Sequence, residues 1–154
     1  MSWSAGTAPA VNATGAVILD YDRGEFYCEK NADVARPAAS MTKIMSVYLV
    51  FQEIEAGRLS LDSWVKASAR AAAMSNNPAY SGLERLKAGE SYQVDTLLRL
   101  IMTASCNGSV LVLAEHIGGS EAAFVARMNE TAKQMGLDAK YADCCGFIDD
   151  GNAV

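Results

Sequence analysis

Apolar and polar positions along this chain follow two rhythms. Near the start, Ala16-Val17-Ile18-Leu19-Asp20 and Glu25-Phe26-Tyr27-Cys28-Glu29 are short apolar runs separated by Tyr21-Asp22-Arg23-Gly24. Asp and Gly favour a turn, so the two runs predict a β-hairpin. Arg36-Pro37-Ala38-Ala39 then breaks regular structure, because proline drives the residue before it out of the helical region. From Ser40 the rhythm becomes helical. Met41, Ile44, Met45, Tyr48, Leu49, Phe51 and Ile54 recur at three- and four-residue steps, and Gly57 offers a stop. Val47 and Val50 make this helix apolar on nearly all sides, which predicts a central, buried helix. Ser40 at its head is a favoured N-cap.

Further along, Leu59, Leu61 and Val65 predict a short extended piece, residues 68–74 a short helix, and Asn76-Asn77-Pro78 and Lys87-Ala88-Gly89-Glu90 turns. Val94, Leu97, Leu98, Ile101 and Met102 mark a helix that is interrupted over residues 103–108. A second helix follows with Val110, Leu111, Leu113, Ala114 and Ile117, ended by Gly118-Gly119. Ser120 caps a third, which runs through Phe124, Val125 and Met128 to Met135 and stops at Gly136. Residues 1–13, small and polar, are expected to form a leader ahead of a single domain over residues 14–154.

Composition narrows the function classes. A chain of 154 residues with 51% apolar and 20% charged residues has the make-up of a folded globular domain with a real core. The net charge of -5 supplies no basic stripe, which argues against nucleic acid and points to small molecules or peptides as partners. No run of about 18 apolar residues suggests a membrane span, and the first residues lack the basic head and apolar core of a signal peptide. Cys28, Cys106, Cys144 and Cys145 have no C-x-x-C metal spacing and read as four free, apolar thiols. No metal or cofactor is expected. His116, the only histidine, lies inside an apolar helix and reads as packing or solvent-facing.

The chemistry points to Ser40 and Lys43. Serine is a weak nucleophile until a nearby base takes its proton, and a lysine serves if burial lowers its pKa. Three residues apart at a helix start, the two side chains share one face, beside free backbone N–H groups and the positive end of the helix dipole. The spacing alone is weak: Ser63-Trp64-Val65-Lys66 repeats it, and Ser75-Asn76-Asn77 repeats the S-x-N pattern of Ser105-Cys106-Asn107. Context separates them. Ser63 heads no long apolar helix and Ser75 lies in a polar turn, whereas Ser105 and Asn107 fall in a short break between two apolar helices, where packing holds the backbone.

S-x-x-K followed by S-x-N is similar to the signature of penicillin-recognising serine enzymes. The likeness extends to Ala16–Gly24, to Arg36-Pro37-Ala38-Ala39-Ser40-Met41-Thr42-Lys43-Ile44-Met45, to Gly57-Arg58-Leu59-Ser60-Leu61-Asp62, to Leu113-Ala114-Glu115-His116-Ile117-Gly118-Gly119-Ser120 and to Phe124-Val125-Ala126-Arg127-Met128-Asn129. Over roughly residues 14–150 the chain resembles the low-molecular-mass penicillin-binding proteins, specifically the serine D-Ala-D-Ala carboxypeptidases. The resemblance implies an α/β (α+β) fold of the β-lactamase/transpeptidase type, with the N-terminal hairpin and the mainly helical subdomain present. It implies that Ser40 attacks a D-Ala-D-Ala peptide and that Lys43 accepts its proton. Ser105 would relay a proton to the leaving D-alanine, and Asn107 would bind substrate backbone and help hold Lys43. Implied partners are peptidoglycan peptides ending in D-Ala-D-Ala and β-lactams, in an extracytoplasmic setting, with no cofactor.

Three departures from that family stand out. Cys106 stands where the family usually has a glycine or other small residue, and Gly108-Ser109 replaces a commoner Asp-Ala. Cys144-Cys145-Gly146-Phe147 replaces an Asn-Pro-x-Gly-Leu turn, which should loosen without its proline. No Lys-Thr-Gly or Lys-Ser-Gly occurs. The chain is therefore expected to be the N-terminal part of such a domain, lacking the C-terminal strands and one wall of the cleft, and to depend on a downstream segment or partner chain. Two other readings are a class A-like β-lactamase, whose Glu-x-x-Leu-Asn segment is not found in residues 108–154, and a non-catalytic penicillin-binding-like fragment.

Overall fold

The computed structural model describes residues 11–80, 84–147 and 151–153. It divides into two compact units, Met1–Ala35 and Arg36–Val154. The expected leader falls largely on residues outside those described.

The first unit holds the predicted hairpin. Strands β1 (Ala16–Asp20) and β2 (Glu25–Lys30) pair antiparallel, with a register shift between Ile18 and Leu19. The Asp20 carboxylate ties the turn by accepting from the backbone N–H groups of Asp22 and Arg23, each at 3.1 Å, and from the Tyr27 hydroxyl at 2.7 Å. This is the local side-chain-to-backbone bonding that makes aspartate a turn former.

The second unit is mainly helical. Its elements are α1 (Thr42–Glu55), β3 (Trp64–Lys66), α2 (Ala69–Ser75), β4 (Ser91–Gln93), α3 (Val94–Ala104), α4 (Asn107–Gly118) and α5 (Glu121–Gln134). Strands β3 and β4 pair antiparallel, Val65 opposite Tyr92. Strand β4 was not anticipated, because three residues of Ser-Tyr-Gln carry no legible alternation. The short helix begins where expected: Ser68 caps α2 by accepting from Ala71 N–H at 3.0 Å. Ser120 likewise caps α5 through Ala123 N–H at 3.2 Å.

The central buried helix is α4, not α1. Val110, Leu111, Val112, Leu113 and Ala114 are all essentially inaccessible, since α4 packs against α1, α2, α3 and α5 and so has no solvent face along this stretch. Truncating one such leucine to alanine costs about 2–5 kcal/mol. Helix α1 is two-faced. Met45, Leu49 and Val50 enter the core, while Met41, Ile44 and Phe51 are 63%, 63% and 51% exposed. Met41, in the turn just ahead of α1, and Ile44 line an apolar groove with Met135, Leu137 and Tyr141, and with Phe51 they form a largely exposed apolar stripe. Among the described residues, no single helix is long and apolar enough to cross a membrane.

Candidate active site

Ser40 does not cap α1. It lies in a single 3₁₀ turn, Ala39–Met41, just ahead of the helix; the N-cap position is Met41, and no side chain caps the helix there. Freed from capping, the Ser40 hydroxyl instead meets two functional groups. Lys43 Nζ is 3.0 Å from Ser40 Oγ, and Ser105 Oγ is 3.0 Å from the same oxygen. Ser40 is exposed and reachable by a ligand, whereas Lys43 is 5% exposed.

The Lys43 side chain extends along α1 into the protein and donates a second hydrogen bond to the Cys145 carbonyl at 2.8 Å. Burial lowers its pKa from the ordinary lysine value; Asp143 and the thiols of Cys145, Cys144 and Cys106 act in the opposite direction. Desolvation disfavours the charged ammonium, which is the condition for a lysine to act as a base.

Ser105 terminates α3 with φ of 57°, a left-handed conformation that side-chain-bearing residues rarely adopt. That strain aims its hydroxyl at Ser40. Asn107 is not in a loop, as the interruption over 103–108 suggested, but is the first residue of α4; the break between helices is only Ser105-Cys106. Among the described residues the expected contact from Asn107 to Lys43 is not made: Lys43 Nζ bonds to Ser40 Oγ and to the Cys145 carbonyl, and the buried Asn107 Oδ1 has no hydrogen-bond partner.

Residues 143–147 form a fixed turn in spite of the missing proline. The buried Asp143 carboxylate accepts from the N–H groups of Cys145 and Gly146 at 2.6 Å and of Phe147 at 3.1 Å, and from the side chain of Asn152. These bonds hold the turn that a proline would otherwise stiffen, correcting the expectation that it loosens. The turn in turn holds Lys43 and α1: Cys145 O accepts from Lys43, and Cys144 O accepts from Ser46 Oγ at 2.7 Å. An Asp three residues before a glycine is a legible turn signal, but the link to Lys43, 102 residues away, is not.

Glu84 is the other residue the sequence did not single out. Its carboxylate accepts from Gly108 N–H at 2.8 Å, Ser109 N–H at 2.6 Å and the Ser109 hydroxyl. Beside it, burial first and then the Glu84 charge push the Cys106 thiol up to about 11, with Lys43 opposing. All four cysteines are free and buried, as expected.

The repeated motifs have structural uses. Ser63 Oγ binds Ser60 N–H at 3.0 Å in a turn, and Ser75 Oγ, fully buried, donates to Ala72 O at 2.8 Å. His116 is exposed on α4. Among the described residues, no three His, Cys, Asp or Glu side chains converge on a possible metal position.

The Ser40 hydroxyl is flanked by a buried lysine and a second serine, and the fold around it is that of the penicillin-binding proteins. Penicillin binding protein 5 of Haemophilus influenzae superposes with a TM-score of 0.88 at 29% identity over 96% of this chain and 43% of that one. The D-alanyl-D-alanine carboxypeptidase DacD of Francisella tularensis does so with a TM-score of 0.86 at 36% identity, covering 94% of this chain and 34% of the other. A profile of the D-alanyl-D-alanine carboxypeptidase family matches residues 3–154, and the chain belongs to that family. Among curated relatives, DacF of Bacillus subtilis is 33% identical over 93% of this chain and 36% of its own length, and DacC of Escherichia coli 36% identical over 84% and 33%. The chain thus spans about a third of the length of these relatives.

Proposed function

We propose that this chain carries the nucleophile, the base and one wall of the cleft of a serine D-Ala-D-Ala carboxypeptidase. The observation that supports this best is Ser40 Oγ at 3.0 Å from both Lys43 Nζ and Ser105 Oγ. In its neutral form Lys43 takes the Ser40 proton as Oγ attacks the carbonyl carbon of the terminal D-Ala-D-Ala bond. Ser105 passes a proton to the departing amine of D-alanine, leaving an ester on Ser40. Water then hydrolyses the ester, returning the serine hydroxyl and releasing the shortened peptide acid. The Ser40 backbone N–H is one donor to the developing oxyanion, and Asn107 binds the substrate's backbone. A β-lactam acylates Ser40 by the same attack, opening its ring. The substrate places the enzyme at the peptidoglycan, outside the cytoplasm.

Activity on this reading requires a further polypeptide segment, covalent or as a partner chain, supplying the second wall. The largely exposed apolar stripe of Met41, Ile44 and Phe51, at and after the head of the helix that carries Lys43, supports that requirement. The test is labelling with a fluorescent penicillin, comparing the 154-residue chain with a form extended to the length of its relatives. The extended form should label at Ser40, the Ser40→Ala variant should not, and the short chain should label far more slowly. Equal rates for the two forms would remove the need for a second segment, and unchanged labelling in Ser40→Ala would remove the proposed nucleophile. An acyl-enzyme lasting minutes fits the carboxypeptidase; rapid turnover would identify a β-lactamase.

A further inference from the structure

We propose that Glu84 is a positioning residue for acylation, acting as a helix cap supplied from a distant part of the chain. The inference rests on the reading of Ser40, Lys43, Ser105 and Asn107 given above. A helix leaves its first N–H groups without partners, and the N-cap side chain ordinarily satisfies one of them. The N-cap of α4 is Cys106, which makes no side-chain capping bond. The N–H groups of Gly108 and Ser109 bond instead to the two oxygens of Glu84, 24 and 25 residues upstream, and Ser109 adds its hydroxyl. A carboxylate here also complements the positive end of the α4 dipole.

The Glu84 carboxylate reaches the first turn of α4 across a position that carries no side chain. A Cβ built on Gly108 would lie 2.5 Å from Ser75 Cβ and 3.0 Å from both Ala71 O and Glu84 Oε1. A side chain at 108 would press on α2 and on the Glu84 carboxylate itself. The segment that follows Glu84 is anchored on the other side: Leu86 N–H donates to Ser75 Oγ at 3.0 Å, and Asn76 Nδ2 donates to Leu86 O at 3.0 Å. Glu84 is thereby held between α2 and the first turn of α4.

That first turn sets the site. Only Ser105 and Cys106 separate α3 from α4, and Ser105 is in the strained left-handed conformation. Asn107 is buried and its Oδ1 has no partner among the described residues, so the backbone of the turn sets where that oxygen lies. Releasing the cap lets the α4 start relax and moves both groups relative to Ser40.

The test is the acylation kinetics of Glu84→Ala and Glu84→Gln with a fluorescent penicillin, in whichever form of the protein labels, at a temperature where every variant is folded. Glu53→Gln, at the other end of α1, serves as a destabilised control. Glu84→Ala should lower the acylation rate constant about 10- to 100-fold, the cost of a displacement near 1 Å, with less change in the affinity of the encounter complex. Glu84→Gln, which keeps one acceptor oxygen, should recover part of the rate. Glu53→Gln should lower the Tm and leave the rate constant unchanged. Wild-type acylation in Glu84→Ala, or a loss no larger than in Glu53→Gln, would overturn the inference while leaving Ser40 as nucleophile. Absence of Ser40 labelling in the wild type would overturn both.

Discussion

Gly146 lies directly against the carbonyl of Ala39, the residue before Ser40. A Cβ at 146 would overlap Ala39 O, and Gly146 has φ of 86° while Ala39 itself has φ of 48°. Two turns far apart in sequence are thus pressed together with both backbones in the left-handed region, and Ser40 sits on the result. Gly146→Ala is expected to cost about 3 kcal/mol in urea denaturation, from left-handed strain plus overpacking. The fraction that remains folded should label slowly with penicillin, because the turn carrying Ser40 must shift. A variant of wild-type stability would show that the two turns separate easily.

Ser105 holds strain that glycine would not. Ser105→Gly should stabilise the fold by about 1 kcal/mol, the left-handed penalty of a side-chain-bearing residue, while lowering the acylation rate through loss of the hydroxyl. Ser105→Ala keeps the strain and loses the hydroxyl, so it should show the rate loss without the gain. Paired denaturation curves and labelling rates separate the two. A destabilised Ser105→Gly would mean that the hydroxyl, not the backbone, dominates stability there.

Much of this could be read from residue order, and the reasons differ by element. The hairpin was legible because Asp22 and Gly24 sit between two apolar runs, and the helices because their apolar spacing and the caps Ser68 and Ser120 are local signals. Ser40 and Lys43 were legible as a pair, since one helical turn fixes their relation. What stayed hidden depends on contacts between distant segments. Helix α1 is apolar all round, but only packing shows that one of its faces is left open while α4 takes the centre. The same holds for Lys43 with Cys145 and for Glu84 with Gly108, whose partners no periodicity links. The missing proline at 143–147 misled because the Asp143 carboxylate supplies the rigidity by other bonds.

Lys43 gives a pH signature. Burial lowers its folded pKa below the 10.5 of a free lysine, so acylation should rise with pH along a limb whose midpoint lies below that value. Stability should rise with pH over the same window, because between the folded value and 10.5 the unfolded chain still binds the proton and the folded chain does not. Below the folded value both states are charged and the burial cost stands in full. Lys43→Arg, permanently charged, should not acylate at any pH. A rate limb centred at or above 10.5 would exclude Lys43 as the proton acceptor.

Glu53 governs the acid side. This carboxylate is 7% exposed and accepts from Arg58 Nε and Nη2 at 2.6 and 3.0 Å and from Arg127 Nη2 at 2.5 Å, joining α1 to α5. The Arg58 hydrogen bonds, helped by Arg127 and opposed by burial, pull its pKa from 4.5 to about 2. The folded chain therefore releases this proton more readily than the unfolded one. Its contribution is complete above pH 4.5, falls as the pH drops through the window, and is gone below about 2. With Arg58 largely in solvent, the contribution is on the order of 2 kcal/mol. Urea denaturation at pH 7 and pH 3 should show Glu53→Gln much less stable than wild type at the higher pH, with the gap narrowing at the lower. A gap independent of pH would mean that packing of the side chain, not its charge, is what α1 and α5 share, since only the charged form carries a proton-linked term.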